Sequence, residues 1–405
     1  MRPNPRPRRQ SRNQRIAVSL LLLGLTGCGG IKAYVRSGFL EHPPRRVAIL
    51  PMVITYPYDL AVGQPIPAEH LLGRDLFRQR LYNAFAPYGY EDMPPADVDA
   101  KLAAAFGPLD EGVWRAATPQ ALGDALGVDA VVHGEISHIA HIASPVYTET
   151  SLAASLRMVE TASGDVLWRT RVQEADRGGA LMQKGQVVDF VQDQIRSRRA
   201  DVKFLRVAAE AARVALKGLP NPPMAAAPRA RASTAPRIAV LPLAAAKPSF
   251  GKGAKTLRYD LAVNLQDGVF EAVELQHVDA ALAAHDGISL ADLRQALGAD
   301  AVLRGAVTEW GKHYLLLQSW VAAGLELELV DAATGTVLWR GKKTSSRQAG
   351  LSKGPTGYKS VVMAPITGLK TRYLERVADG LARDMVEELA ASPEVVNYVQ
   401  THRSP

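Results

Sequence analysis

The hydrophobic pattern of this chain runs through one cycle and then repeats it. Arg46-Val-Ala-Ile-Leu-Pro-Met-Val53 is a β-branched apolar run with a proline inside it, the pattern of a buried strand ended at Pro51. A Pro-rich excursion follows, and then Phe77, Leu81 and Phe85 recur at i, i+4 and i+8, on one face of a helix. Tyr90-Glu-Asp-Met and the segment 96–102 predict a short strand and a second helix. Thr118 stands before an Ala/Leu-rich helical run ending near Gly127 and reads as its N-cap. Three strands are expected next, over 130–136, 150–161 and 166–172, the last two joined by the turn Ser163-Gly164-Asp165. Residues 176–200 are polar and weakly patterned, with a short helix expected over 187–195, and an alanine-rich helix over 204–216 closes the cycle.

The second cycle copies the first. Ala125-Leu-Gly-Val-Asp-Ala-Val-Val-His-Gly134 returns as Ala296-Leu-Gly-Ala-Asp-Ala-Val-Leu-Arg-Gly305, and Gly164-Asp-Val-Leu-Trp-Arg169 as Gly335-Thr-Val-Leu-Trp-Arg340, both displaced by 171 residues. Arg237-Ile-Ala-Val-Leu-Pro242 matches Arg46–Pro51 at an offset of 191, and Leu261 and Leu265 match Leu81 and Phe85 at 180. The offset falls only between predicted elements, where length changes are tolerated. Leu325-Glu-Leu-Glu-Leu329 alternates strictly, leucines toward a core and glutamates toward water, and Ala154-Ser-Leu-Arg-Met158 is its counterpart. Leu374, Val377, Leu381, Met385 and Leu389 form the stripe of a final amphipathic helix. A unit this long implies tandem domains and not a solenoid.

Between the copies, 218–236 holds five prolines among alanines, a composition that favours extended chain over a core. The expected organisation is a leader over 1–27, a tether over 28–44, copy one over 45–217, a linker over 218–236 and copy two over 237–400. The fold class is an α/β sandwich (α+β): each copy reads strand–helix–strand–helix–strand–strand–strand–helix around a mixed sheet.

Composition is that of a globular protein, with 47% hydrophobic and 22% charged residues. The net charge of +8 is misleading as a nucleic-acid signal. Six of the 48 basic residues are arginines ahead of Cys28, where no acid stands, so 42 basic residues face 40 acidic ones in the remainder. Those arginines precede the apolar run Ile16–Leu25, too short for a stable membrane span. Leu25-Thr26-Gly27-Cys28 follows and resembles a bacterial lipobox. The resemblance implies diacylglyceryl transfer to the Cys28 thiol, cleavage before it, and outer-membrane sorting, since Gly29 is not an aspartate. A plain secretory signal with an incidental cysteine is the alternative. Cys28 is the only cysteine, which excludes an intramolecular disulfide.

The Val-Ala-Ile-Leu-Pro opening, the Leu-Gly-Ala-Asp-Ala-Val stretch and the hairpin Leu-Val-Asp-x-x-Thr-Gly-x-Val-Leu-Trp together resemble one superfamily. It contains the amino-terminal domain of TolB, the curli secretion lipoprotein CsgG, the synthase activator LpoB and the export lipoprotein PelC. Glu309-Trp-Gly-Lys-His-Tyr314 and the following hairpin are similar to transport-associated lipoproteins within it. The likeness implies a TolB-N-like fold in each copy, an envelope protein as partner, no cofactor, no nucleic acid, and self-association. It implies a non-enzymatic scaffold or accessory factor of an export machine. An LpoB-like activator of peptidoglycan synthesis is the alternative within that class, and a glycan hydrolase with paired carboxylates is the alternative outside it. The long alternating hairpins of a CsgG-like pore are not read in 173–203 or 343–372.

Candidate chemistry is sparse. His133, His138 and His141 share one stretch with Glu135, but an unbulged strand would put 133 and 138 on opposite faces, away from a common ion. Gly251-Lys-Gly-Ala-Lys-Thr256 lacks the glycine before lysine that a phosphate loop needs and reads as a basic loop. Trp168 and Trp339 are expected to pack on the cores, with ligand stacking as the alternative. Two basic runs are candidate interaction surfaces: Arg196, Arg198, Arg199 and Lys203 in copy one, and Lys342, Lys343, Arg347 and Lys353 in copy two. The alanine side of helix 204–216, centred on Ala212, is expected to contact copy two. Limited proteolysis is expected to cut first between Gly218 and Pro236; a protected fragment running through that segment would overturn the boundary.

Overall fold

The computed structural model describes residues 33–55, 66–143, 148–178, 200–222, 234–266, 269–284, 287–315, 318–350 and 371–403. They form two mixed sheets, each with helices on its faces. In the first, β2 (Arg46–Ile49) lies parallel to both β4 (Glu91–Met93) and β5 (Ala130–Ala143). The sheet continues antiparallel through β6 (Thr148–Glu160) and β7 (Val166–Gly178) to β1 (Tyr34–Val35), while β3 (Val53–Ile54) pairs β5. The second sheet repeats this order with β8 (Arg237–Val240), β9 (Ala244–Ala245), β10 (Glu271–Ala272), β11 (Ala301–Leu315), β12 (Gln318–Asp331) and β13 (Val337–Gly350).

Helices enter where the pattern places them. In copy one, α1 (Ala68–Phe85) buries Phe77, Leu81 and Phe85 against one face of the sheet. On the other face, α2 (Pro95–Phe106) and α3 (Pro119–Leu126) bury Val98, Leu102, Leu122 and Leu126. The Thr118 hydroxyl accepts from the Ala121 amide as the N-cap, and Gly127 ends α3 in the left-handed region at φ 71°. Copy two answers with α5 (Gly251–Leu265), α6 (Leu275–Ala284) and α7 (Leu290–Leu297), the last opened by a Ser289–Asp292 capping box. The closing helices are α4 (Ala200–Leu216) and α8 (Thr371–Ala391), followed by α9 (Pro393–Arg403), which the pattern did not announce. Trp168 and Trp339 both lie in the cores.

Three readings need correction. Gly251–Thr256 is not a loop but the start of α5, because its lysines and alanine are good helix formers and Gly253 lets the helix lie against Trp310. The long strands overrun their expected ends: β5 reaches Ala143 and β7 Gly178. In the β7 extension a charged residue, Glu174, takes a buried position and masks the alternation. Within the tether, Tyr34–Val35 pairs β7 and Phe39 is buried in the first core, so this part of the tether belongs to the first folded unit. The expected helix at 187–195 lies outside the described residues, as do most of the linker and Cys28.

Helices α1 and α4 of copy one face α5 and α8 of copy two across a polar seam. Arg213 pairs Glu375 at 2.7 Å, joined by Lys217 at 3.3 Å. The Tyr259 hydroxyl donates to the Ala84 carbonyl at 3.0 Å, and Arg80 donates to Asn264 at 3.2 Å. Arg376 reaches Glu174 at 3.4 Å and Asp176 at 3.7 Å. Burial, and then the neighbouring Asp379, push the Asp260 carboxyl well above the usual carboxylate range. Burial alone would raise Glu375, but Arg213 and Lys217 outweigh it and hold that carboxyl low. The expected contact through Ala212 is therefore misplaced. Ala208, Ala211 and Ala212 lie in copy one's own core, where small side chains let α4 approach its sheet, and only the polar edge of α4 reaches copy two.

Close approach also governs α1 and α5. A Cβ on Gly73 would meet Ile139, and one on Gly253 would meet Trp310, the equivalent residue of copy two. Gly380, in the middle of α8, has nothing near its missing Cβ. Gly380→Ala is expected to stabilise by ~0.5–1 kcal/mol through helix propensity. Gly253→Ala is expected to destabilise by roughly 1–3 kcal/mol through overpacking. Urea denaturation at neutral pH checks both signs in one series.

Candidate interaction surface

The first sheet has a topological switch point. β2 lies between β4 and β5 and runs parallel to both; α1, which follows β2 and β3, and α2, which follows β4, lie on opposite faces, and a crevice opens between them. Its volume is about 500 Å³, and Met52, Arg74, Arg78, Asp99, Trp114 and Arg115 line it. Two short 3-10 turns, Leu109–Glu111 and Val113–Ala116, roof it. Trp114 anchors them by burial and by donating from Nε1 to the Leu109 carbonyl at 3.2 Å. The chain is nine residues shorter at this point in copy two, where the offset falls from 180 to 171.

Arg78 does structural work in this crevice. Its guanidinium is buried and donates to the Ile49 carbonyl at 3.1 and 2.9 Å and to Asp99 at 2.8 Å. Arg258 repeats the arrangement on Val240 at 3.0 Å and Asp279 at 2.6 Å. Arg74 pairs with its neighbour Asp75 at 2.8 Å, and the Arg115 guanidinium lies 5.6 Å from the Trp114 ring centroid. Among the described residues the lining presents guanidinium, carboxylate, the Gln79 amide and apolar surface, a set suited to recognition.

The expected histidine geometry changes. A β-bulge at Ser137 breaks the alternation, so His133 and His138 fall on one side of β5 and His141 on the other. His138 hydrogen-bonds Ser151 at 2.9 Å; His141 bonds Thr150 at 2.9 Å and packs near Phe204. Thr308 bulges β11 at the equivalent place. Among the described residues no three His, Cys, Asp or Glu side chains are placed to hold a metal ion.

Of the basic runs, Arg196, Arg198, Arg199 and Lys353 lie outside the described residues, and Lys203 falls within α4. The other run is neutralised. Lys342 pairs Glu326 at 2.8 Å, Lys343 approaches Glu388 at 3.6 Å, and Arg347 reaches across the seam to Asp176 at 3.8 Å.

The structure adds a surface that sequence reading missed, on the outer sheet face beyond α2 and α3. In copy one, the row His133–Arg157–Arg169–Tyr34 crosses β5, β6, β7 and β1 in register, with Ser155–Arg171 beside it. In copy two the matching rows are Arg304–Glu328–Arg340 and Glu326–Lys342. There Glu328 accepts from Arg304 at 3.0 Å and from Arg340 at 2.7 Å, which hold its carboxyl below the usual range. A serine and an arginine replace the two glutamates in copy one. Aligning Ala154–Met158 with Leu325–Leu329 contains that signal, but both segments satisfy the same alternation and the charge reversal passes unnoticed.

Residues 254–385, wholly inside copy two, match the model of a family described as "Putative lipoprotein GNA1162-like". The resemblance to envelope lipoproteins read from copy two is thus supported over that span. Solved structures similar to this chain include lipoprotein GNA1162 from Neisseria meningitidis, at 20% identity and a TM-score of 0.26, covering 39% of this chain and 99% of that one. The PelC dodecamer from Paraburkholderia phytofirmans is similar at 20% identity and a TM-score of 0.25, covering 41% and 94%. The LpoB C-terminal domain from Escherichia coli is similar at 19% identity and a TM-score of 0.21, covering 29% and 88%. No curated protein matches the chain.

Burial, and then Arg157, hold His133 down at about 4, against an ordinary 6.5. The folded state therefore keeps it neutral while the unfolded chain takes up a proton below about 6.5. Stability present above that pH is lost as pH falls toward 4. Replacing His133 by Gln is expected to remove roughly 2 kcal/mol of this pH dependence, read from urea midpoints at pH 7, 6 and 5.

Proposed function

We propose that the chain is an envelope lipoprotein, acylated at Cys28 and held on the periplasmic face of the outer membrane. It serves there as a non-enzymatic scaffold or accessory factor for an export machine, acting through protein–protein contacts. The observation that carries this reading is the match of residues 254–385 to a lipoprotein family in a chain that also holds Leu25-Thr26-Gly27-Cys28 behind an apolar run. Among the described residues no helix is long and apolar enough to cross a membrane, and the reading assigns membrane attachment to the lipid. The two units, joined through 218–236, offer two different outer sheet faces and a crevice, a distribution suited to holding more than one partner.

Two measurements test it. Cells fed a palmitate analogue are expected to label the protein, and Cys28→Ala is expected to abolish the label; an unchanged label rejects the anchor. Crosslinking in intact membranes followed by purification is expected to recover an envelope protein, or a second copy of this chain, in stoichiometric amount. Reproducible turnover of a cell-wall glycan by the purified protein would reject the scaffold in favour of an enzyme.

A further inference from the structure

The outer sheet face of copy one carries arginines that lack the acids of its twin. Arg157, Arg169 and Arg171 are exposed on β6 and β7, and among the described residues none has a carboxylate within salt-bridge distance. Arg157 and Arg169 are direct cross-strand neighbours, a like-charge pairing that costs stability unless something anionic covers it. Glu135 stands opposite Ser155, with that serine between it and Arg171. At the same positions copy two places Glu326 and Glu328 among Arg304, Arg340 and Lys342 and closes every charge. Copy two thus pairs its three cations with two acids, whereas among the described residues copy one leaves three arginines with no ion pair on this face.

The position of the face in the chain indicates its occupant. Tyr34 pairs Arg169 in β1, and the Arg169 guanidinium lies 5.2 Å from the Tyr34 ring centroid. Tyr34 and Val35 remain 45% and 36% exposed on this edge. In the antiparallel register the chain reaches Tyr34 from the Arg171 side. Cys28 stands six residues earlier, so an extended chain lets the anchor lie no more than about 20 Å away. We propose that this face lies against the bilayer, with Arg157, Arg169 and Arg171 on the phosphates of anionic phospholipid headgroups and Tyr34 at the headgroup level. Tyrosine and arginine are residue types suited to that boundary. The assignment rests on the anchored reading of Cys28 for its geometry, while the electrostatics belong to the face alone.

The test separates the two. The polypeptide from Gly29 onward contains every described residue and carries no anchor, so its binding to vesicles reports the face whether or not Cys28 is acylated. It is expected to sediment with vesicles of phosphatidylethanolamine and phosphatidylglycerol at low salt. It should not sediment with phosphatidylcholine alone, and 0.5 M salt should release it. The double substitution Ser155→Glu with Arg157→Glu installs copy two's acids and cancels the three charges. At roughly fivefold per arginine, affinity is expected to fall about 100-fold, with unchanged circular dichroism and a thermal midpoint that does not fall, since the like-charge pair is relieved. Glu326→Gln on copy two's face is expected not to weaken binding. Wild-type chain that ignores phosphatidylglycerol, or a double variant that binds undiminished, overturns the proposal. Crosslinks from position 171 to an acidic envelope protein without vesicle binding also overturn it and assign the face to that partner.

Discussion

A buried guanidinium needs acceptors, and in each half of this protein one such group ties the first helix to a parallel strand, β2 or β8. Arg78 and Arg258 hold the carbonyls of Ile49 and Val240 and the carboxylates of Asp99 and Asp279. Removing the carboxylate would leave the buried guanidinium with a carbonyl as its main partner, which destabilises the fold. The Arg78 bond fixes where α1 sits against the end of β2, so it also fixes the crevice between α1 and α2. Gly73 and Gly253 let the helices come close enough to make it.

Much of the architecture was legible because the two copies check one another. Thr118 and Ser289 cap equivalent helices, and Trp168 and Trp339 fill equivalent places in the cores. What escaped reading depends on distance in space. Glu174 looks like a solvated strand residue until Arg376, 202 positions later, covers it. Ala212 looks like a contact for a neighbour because small residues permit approach in either direction; its own sheet takes that space. The bulge at Ser137 reassigns His138 to the other face, and nothing in the local sequence announces it.

The candidate surfaces show the same division. Lys342, Lys343 and Arg347 form a conspicuous basic run, yet each has a carboxylate across a strand, on a helix or across the seam. Arg157, Arg169 and Arg171 are scattered through two strands and become a group only when pairing brings them into register. A charge run in sequence is thus a poor guide to a charged surface where strands alternate and acids sit on the neighbouring strand.

The polar seam bears on how the chain is made. Each half spends its large apolar faces on its own sheet and meets its twin through ion pairs and hydrogen bonds around Asp260, Arg213 and Glu375. A half with such a boundary presents charged and hydrogen-bonding groups there. At roughly 5–20 residues per second of synthesis, copy one emerges many seconds before copy two is complete. During that interval it presents water-compatible groups at the future seam, which spares it from sticking to other unfinished chains.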